Sequence, residues 1–267
     1  MEINIFTCKY GYYLSLVLKY ILEKENYKVN IVKNIDLKNI NLYIILFSQK
    51  VEKYPKNYII YNLEQKDISK WINKKFELSI LFSKRSWDYS NLNISKFDKL
   101  LQKKLILFQL PLIEYNLLKN INNNTEDFHI LFYGTMNNHR THILNFIKHK
   151  INKKYKIKII NNVFGENLFK YIEKSKIILN ISYYKEALLE CYRINEAQSC
   201  KKLVISFLPN KNDYENYNYY SESVVFVDSI TSMIEKIDYY LINNNEYLKK
   251  IKNIKFLKDT KFIHNLL

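Results

Sequence analysis

The stretch that decides the fold is Lys176-Ile-Ile-Leu-Asn-Ile181, then Glu186-Ala-Leu-Leu-Glu190-Cys-Tyr-Arg193-Ile-Asn-Glu196-Ala-Gln-Ser-Cys200, then Leu203-Val-Ile-Ser-Phe207. Its two outer runs are apolar at successive positions, as strands buried on both faces of a parallel sheet are. The spacing between them predicts a helix over 186–200, so the whole reads as one strand–helix–strand crossover. The same alternation continues outward. Downstream, a strand is expected at 224–227 and helices at 229–241 and 246–257. Upstream, strands are expected at 128–133 and 156–160 and helices at 138–150 and 166–174. The first half repeats the theme, with apolar runs at 3–7, 27–32, 42–47, 58–62, 78–82 and 105–109 read as strands and a helix running to about residue 24. Between the halves lies the polar, Asn-rich segment 117–127, the best linker candidate.

The expected architecture is therefore α/β, with two Rossmann-like parallel-sheet domains facing each other across a cleft. The boundaries read as 1–116, a linker at 117–127, 128–245, and C-terminal helices at 246–267 that cross back onto the first domain. Open sheets of this kind bind ligands at the carboxyl ends of their strands.

Composition narrows the class. The 267 residues include 3 Gly and 3 Pro, against 24 Tyr. Average usage would give about 19 Gly. Arg occurs only at Arg85, Arg140 and Arg193. Collagen-like, Gly/Ser-linker and Pro-rich classes are excluded. A hydrophobic content of 48% excludes disorder along the whole chain. Cys8, Cys191 and Cys200 are too few and scattered for a disulfide framework or a zinc site. No signal-peptide pattern and no run of about 20 apolar residues is present. The expectation is a soluble cytoplasmic protein, with a peripheral membrane surface as a compatible partner. The net charge of +16 favours anionic partners. It comes from evenly spread Lys, so no specific nucleic acid is expected.

In so Gly-poor a chain the surviving glycines are informative. Gly11, Gly134 and Gly165 each follow a strand and precede a helix. There a residue without a side chain exposes backbone N–H groups that can face a phosphate, or simply makes a tight turn. Glu186, Glu190 and Arg193 fall at i, i+4 and i+7, one face of the expected helix, with Glu196 three residues further on. Such a face is either a ladder of Glu–Arg pairs or a site in which Arg offers a planar fork to a diphosphate. Trp87-Asp88-Tyr89 is either a stacking and hydrogen-bonding surface for a ligand or a buried Trp beside a turn Asp; Arg85 is open to both readings.

The segment from Lys156 to Ser206 resembles the donor-binding half of GT-B glycosyltransferases. The matching pieces are Val163-Phe164-Gly165-Glu166, Lys176-Ile-Ile-Leu-Asn180-Ile-Ser182, and Arg193-Ile-Asn-Glu196-Ala197-Gln-Ser-Cys200-Lys-Lys-Leu-Val204-Ile-Ser206, an "R-x-x-E-A" pattern. Gly134-Thr135 with Arg140 resembles the start of the same domain. The resemblance implies a metal-independent hexosyl- or pentosyltransferase that uses a UDP- or GDP-linked sugar as substrate and needs no other cofactor. It implies that Glu196 holds the ribose and that Arg193, Arg140 and the backbone of Gly134 and Thr135 face the diphosphate. Val163, Phe164 and Gly165 would line the base, and Glu190 or Glu186 would meet the sugar. Nine residues separate Glu186 from Glu196 where many retaining members have seven, and Lys201 stands where the family has Gly, so the sugar-side carboxylate stays open between the two. The first domain would be the acceptor side, with Asp88, Glu64 or the substrate itself taking the acceptor's proton. No Asp-x-Asp motif of the metal-dependent architecture occurs. The acceptor would be a glycan, lipid or protein. Two rivals remain: a GT-B-like protein that binds nucleotide-sugars without turnover, and a basic nucleic-acid binder.

Overall fold

The computed structural model describes residues 1–119, 127–151 and 153–267; most of the expected linker lies outside the described residues. The chain divides into two compact units, Met1–Pro111 with Leu257–Leu267, and Leu112–Phe256.

Unit 1 runs β1 (Glu2–Phe6), α1 (Tyr12–Lys24), β2 (Lys28–Val32), β3 (Leu42–Ile45), β4 (Tyr58–Asn62), α2 (Lys74–Phe82), β5 (Arg85–Asp88), α3 (Asn91–Ile94), α4 (Lys99–Gln102) and β6 (Leu105–Leu107). Its six strands pair in the order β2-β1-β3-β4-β5-β6, all parallel. Unit 2 runs α5 (Tyr115–Leu118), β7 (Phe128–Tyr133), α6 (Asn138–Ile151), β8 (Ile157–Ile160), α7 (Glu166–Glu173), β9 (Ser175–Asn180), α8 (Cys191–Ser199), β10 (Leu203–Phe207), α9 (Tyr214–Tyr220), β11 (Val224–Val227), α10 (Ile230–Ile242) and α11 (Asn244–Lys252). Its five parallel strands pair in the order β11-β10-β9-β7-β8.

The strand order in unit 2 locates its crevice. From β7 the chain first steps to β8 on one side, then returns to β9, β10 and β11 on the other. The topological switch thus falls between β7 and β9. At such a point successive loops diverge and leave a crevice at the strand ends.

Two expected elements differ. The run 78–82, expected as a strand, is the second half of α2. Asn73 caps that helix by accepting from the Phe76 N–H (3.1 Å). Phe76 and Ile80, one turn apart, are buried together while Leu78 and Phe82 face out. A short apolar run fits strand or helix equally by periodicity, and here the cap decides. The strand next to it is the polar-looking Arg-Ser-Trp-Asp of β5, whose Trp87 is fully buried. The helix expected over 186–200 begins only at Cys191. Glu186 has φ +54°, the Leu189 N–H is taken by Asp213 Oδ2 (2.8 Å), and the Ala187 carbonyl accepts from the Asn210 N–H (2.9 Å). Residues 186–190 are therefore a pinned loop, and Glu186, Glu190 and Arg193 do not share a helix face.

The last α-helix, α11, lies within unit 2; of the residues after 245, only Leu257–Leu267, with a short 3-10 helix at Lys261–Asn265, belongs to unit 1. There Arg85 Nη1 donates to the Asn265 carbonyl (2.7 Å) and Trp87 Nε1 to the Leu266 carbonyl (3.2 Å). Glu25 accepts from Thr260 Oγ1 and pairs with His264 Nε2 (2.7 Å). Ile263 is fully buried. Arg85 and Trp87 thus anchor this segment, and the fully buried Trp87 presents no ring face to a sugar. Ile263→Ala is expected to cost about 2–5 kcal/mol in urea unfolding, as for other buried aliphatic truncations. A loss below about 0.5 kcal/mol, the range of surface changes, would show that the segment is not part of the core.

Candidate active site

The carboxyl ends of β7 and β9 bring together Gly134, Thr135, Arg140, Asn180, Glu190 and Arg193. Arg140 is on the first turns of α6, whose start is capped by Asn137: its Oδ1 accepts from the Arg140 N–H (2.9 Å), and its Nδ2 donates to the Tyr183 carbonyl (2.7 Å). The Arg140 side chain is 2% exposed, and all three guanidinium nitrogens have partners. Nε donates to the Ile181 carbonyl (2.9 Å), Nη1 to the Thr135 carbonyl (2.8 Å), and Nη2 to both Glu190 oxygens (3.0 and 3.1 Å). It therefore rivets the end of β7 to the end of β9. Burial first, and the Arg193 charge second, bring its guanidinium down to about 10, so it stays charged at neutral pH.

Arg193, on the first turn of α8, reaches the same carboxylate. Its Nη1 donates to Asn180 Oδ1 (3.1 Å), to the Ile181 carbonyl (3.2 Å) and to Glu190 Oε2. The Tyr183 N–H also donates to Glu190 Oε1 (3.1 Å). Glu190 is the residue from which α8 starts, and its carbonyl accepts from the Arg193 N–H (3.0 Å). Its carboxylate turns away from the helix end toward the two guanidiniums. Arg193 is 14% exposed against 2% for Arg140, so it is the cation of the pair with a face toward solvent.

Gly134 fits under this pair because it has no side chain. A Cβ there would lie 3.0 Å from Arg193 Nη2 and 3.3 Å from Arg140 Nη1, and its φ is +141°. Gly165, at φ +62° and ψ −146°, precedes α7 in a conformation open only to glycine. Val163 and Phe164 before it are half-buried, and Thr135 is exposed. Glu186 is exposed, away from the pairing that holds Glu190.

Glu196, one turn along α8 from Arg193, is 5% exposed. Burial pushes its carboxyl up to about 7, against hydrogen bonds from Tyr192 and Tyr133 and the Arg193 charge. Tyr133, the last residue of β7, also donates to the Arg193 carbonyl (3.0 Å). Asn180, Tyr133 and Tyr192 belong to this cluster, and sequence reasoning does not single them out as site residues. The available signal is position: Tyr133 and Asn180 each close a strand beside the switch.

Asp88 lies in unit 1, at the end of β5. It is fully buried, with Oδ2 accepting from Asn62 Nδ2 (2.7 Å) and Asn93 Nδ2 (2.8 Å) and Oδ1 from the Ser90 N–H (3.0 Å). Burial raises it to about 7. Its geometry ties β4, β5 and α3 together and leaves no oxygen facing solvent. Glu64, just after β4, accepts from Gln49 Nε2 (3.2 Å) and Ser69 Oγ (2.6 Å), and burial raises its carboxyl as well. Among the described residues, no three His, Cys, Asp or Glu side chains cluster as a metal centre requires.

The raised carboxyl of Glu196 has a measurable consequence. Its folded value, about 7, exceeds the ordinary 4.5. Below the lower value both states hold the proton and the full contribution to stability is present. It is lost as pH rises through the window between them, because only the unfolded state then releases its proton freely. Glu196→Gln keeps partners for both tyrosine hydroxyls and removes the titration. The urea midpoint of this variant relative to wild type should climb between about pH 4.5 and about pH 7. A constant difference would show that Glu196 does not titrate in this range.

Residues 114–257 match the family described as Glycosyl transferase-like. Among solved structures, an alpha-glucosyltransferase in complex with UDP-glucose and DNA containing an abasic site has a TM-score of 0.66 at 12% identity, over 100% of this chain and 98% of that one. Anabaena Alr3699/HepE in complex with UDP and glucose has a TM-score of 0.57 at 9% identity, over 95% and 93%. Sucrose-phosphate synthase from Thermosynechococcus elongatus has a TM-score of 0.55 at 10% identity, over 95% and 92%. At these identities the likeness is one of fold. No curated protein sequence matches the chain. With two parallel-sheet α/β units of the GT-B kind, and a family match over more than half its length, the chain belongs to the glycosyl transferase-like family and is a glycosyltransferase of GT-B fold.

Proposed function

We propose that the protein transfers a sugar from a UDP- or GDP-linked donor held by unit 2 at the switch between β7 and β9. The observation that carries this is the side-chain-free Gly134 beneath two arginines at the carboxyl ends of the strands. Arg193 is the residue for the diphosphate, with the backbone at Gly134 and Thr135 and the N-terminus of α6 supplying further donors. Arg140, sealed and fully paired, positions Glu190 and the two strand ends. Glu190 is the counter-charge that aims Arg193. Glu186, exposed on the same loop, is then the carboxylate open to the sugar.

Glu196 serves the ribose. Its present partners are two tyrosine hydroxyls, and ribose hydroxyls are chemically equivalent donors. Val163, Phe164 and Gly165 stay assigned to the base. As the anomeric C–O bond breaks, its electron pair passes to the β-phosphate oxygen. The acceptor oxygen bonds to the anomeric carbon and gives up its proton. The developing charge is met by Arg193 and the α6 N-terminus without a metal ion. Of the candidates for the acceptor's proton, Asp88 is sealed inside unit 1, which leaves Glu64 or the substrate itself. The acceptor class is a glycan, lipid or protein.

The test is thermal unfolding with UDP, GDP, ADP and CMP, followed by transfer assays with sugars of the nucleotide that binds. One nucleoside diphosphate should stabilise the protein by about 2.7 kcal/mol at roughly a hundred times its Kd, and its sugar conjugate should be consumed. No stabilisation by any of the four would overturn the site. Binding without consumption of any sugar conjugate would overturn the activity.

A further inference from the structure

The apolar run 78–82, helical where its pattern also allowed a strand, carries an unusual outer face. On α2, Phe76, Ser79 and Ile80 are buried, and the opposite side presents Leu78 at 44% and Phe82 at 73% exposure. Lys74, one turn before Leu78, and Lys75, two turns before Phe82, are exposed on the same side. Lys75 Nζ donates to the Val51 carbonyl (3.0 Å), which joins this face to the loop holding Lys50. Lys50 Nζ and Lys70 Nζ lie 5.8 and 5.2 Å from the ring centre of Trp71, which is 41% exposed. Ile68 is 40% exposed nearby in sequence.

Between Ile68 and Lys84 the only acidic residue is Glu77, and it is paired with Lys66; Lys70, Lys74, Lys75 and Lys84 outnumber it. Exposed apolar and aromatic side chains rimmed by lysines are the two halves of an anionic lipid interface. Trp and Phe sit at the headgroup level, and ammonium groups meet phosphates. Two features favour lipid over a nucleic acid. The apolar set includes the aliphatic Ile68 and Leu78, which offer no ring to a base. The face is also the convex side of a helix, whereas single-strand binding uses a positively charged groove. No helix among the described residues is long and apolar enough to cross a membrane, so the contact is one of surface docking.

We infer that the Trp71–Phe82 face of unit 1 docks on anionic membrane surfaces. The inference is independent of the donor site and stands or falls separately from it.

The chain's two tryptophans make the test direct. Trp87 is fully buried and bonded to the Leu266 carbonyl, so a lipid-dependent emission change belongs to Trp71. The protein should sediment with vesicles of equal parts phosphatidylcholine and phosphatidylglycerol and not with phosphatidylcholine alone. Emission should shift to the blue on binding, and added salt should reverse both effects. Trp71→Phe should abolish the emission shift. The Leu78→Ser/Phe82→Ser double variant should weaken partitioning about tenfold or more. Lys70→Gln, Lys74→Gln and Lys75→Gln should each weaken it about fivefold. All these residues are exposed, so folding should be retained. Absence of binding to the anionic vesicles would overturn the proposal. So would emission unchanged on vesicles, tighter binding to single-stranded DNA than to vesicles, or a shift that grows with protein concentration without lipid.

Discussion

One carboxylate held between two guanidiniums, Glu190 between Arg140 and Arg193, is the contact on which the rest of unit 2's site depends. A buried charge is tolerated only when paired and hydrogen-bonded, and removing one partner of such a set typically costs about 3–5 kcal/mol. Here the pairing also sets shape. Arg140 spans the carbonyls of Thr135 and Ile181, so the ends of β7 and β9 are held at the separation one guanidinium can bridge. Gly134 must then lack a side chain, because the arginines occupy the space a Cβ would need. The loop 181–190 cannot be helical, because Glu190 has to reach back to both arginines while Asp213 and Asn210 hold its middle.

Unit 1 solves the same problem with different chemistry. Its buried carboxylate at a strand end, Asp88, is held by the amides of Asn62 and Asn93 and a backbone N–H. Among the described residues no cation is paired with it, and burial raises it to about 7. A neutral cradle of this kind fastens strands and offers nothing to an anion. The arginine pair of unit 2 carries one positive charge more than Glu190 cancels, and its less buried member is the one at the switch point. The contrast supports the proposal that the anion is held by unit 2, and it gives Asp88 a structural task. It also explains the fate of the third arginine. Arg85 holds the returning C-terminal segment by its backbone carbonyl, a task that needs a donor and no counter-ion.

Much of the fold is legible in the sequence because buried parallel strands announce themselves as short, predominantly apolar runs without a two-residue alternation. The strands at 128–133, 203–207 and 224–227 coincide with β7, β10 and β11. The short run at 78–82 is not legible, because four apolar residues around Ser79 fit either period, and only the Asn73 cap and the burial of Phe76 with Ile80 decide for a helix. The Arg-Ser-Trp-Asp strand is hidden for the opposite reason: its polar ends belong to the tail contact, 180 positions away in sequence, and to the Asp88 cradle, which Asn62 completes from the neighbouring strand. At the site, Gly134, Arg140, Glu190 and Arg193 stand out against a Gly- and Arg-poor background. Their grouping around one carboxylate does not, since it pairs residues 50 positions apart. The helix-face spacing of Glu186, Glu190 and Arg193 suggests a different geometry, and tertiary contacts to Asp213 and Asn210 override it.

The central claim is that Arg193, aimed by Glu190, is the diphosphate contact of the donor site. Calorimetric titration of the best-binding nucleoside diphosphate and of its parent nucleoside, on wild type and on Arg193→Ala, tests it most directly. The account predicts that the diphosphate's advantage over the nucleoside shrinks about tenfold or more in the variant, the worth of a charge-assisted hydrogen bond, while nucleoside affinity holds. An advantage that survives undiminished in Arg193→Ala would contradict it.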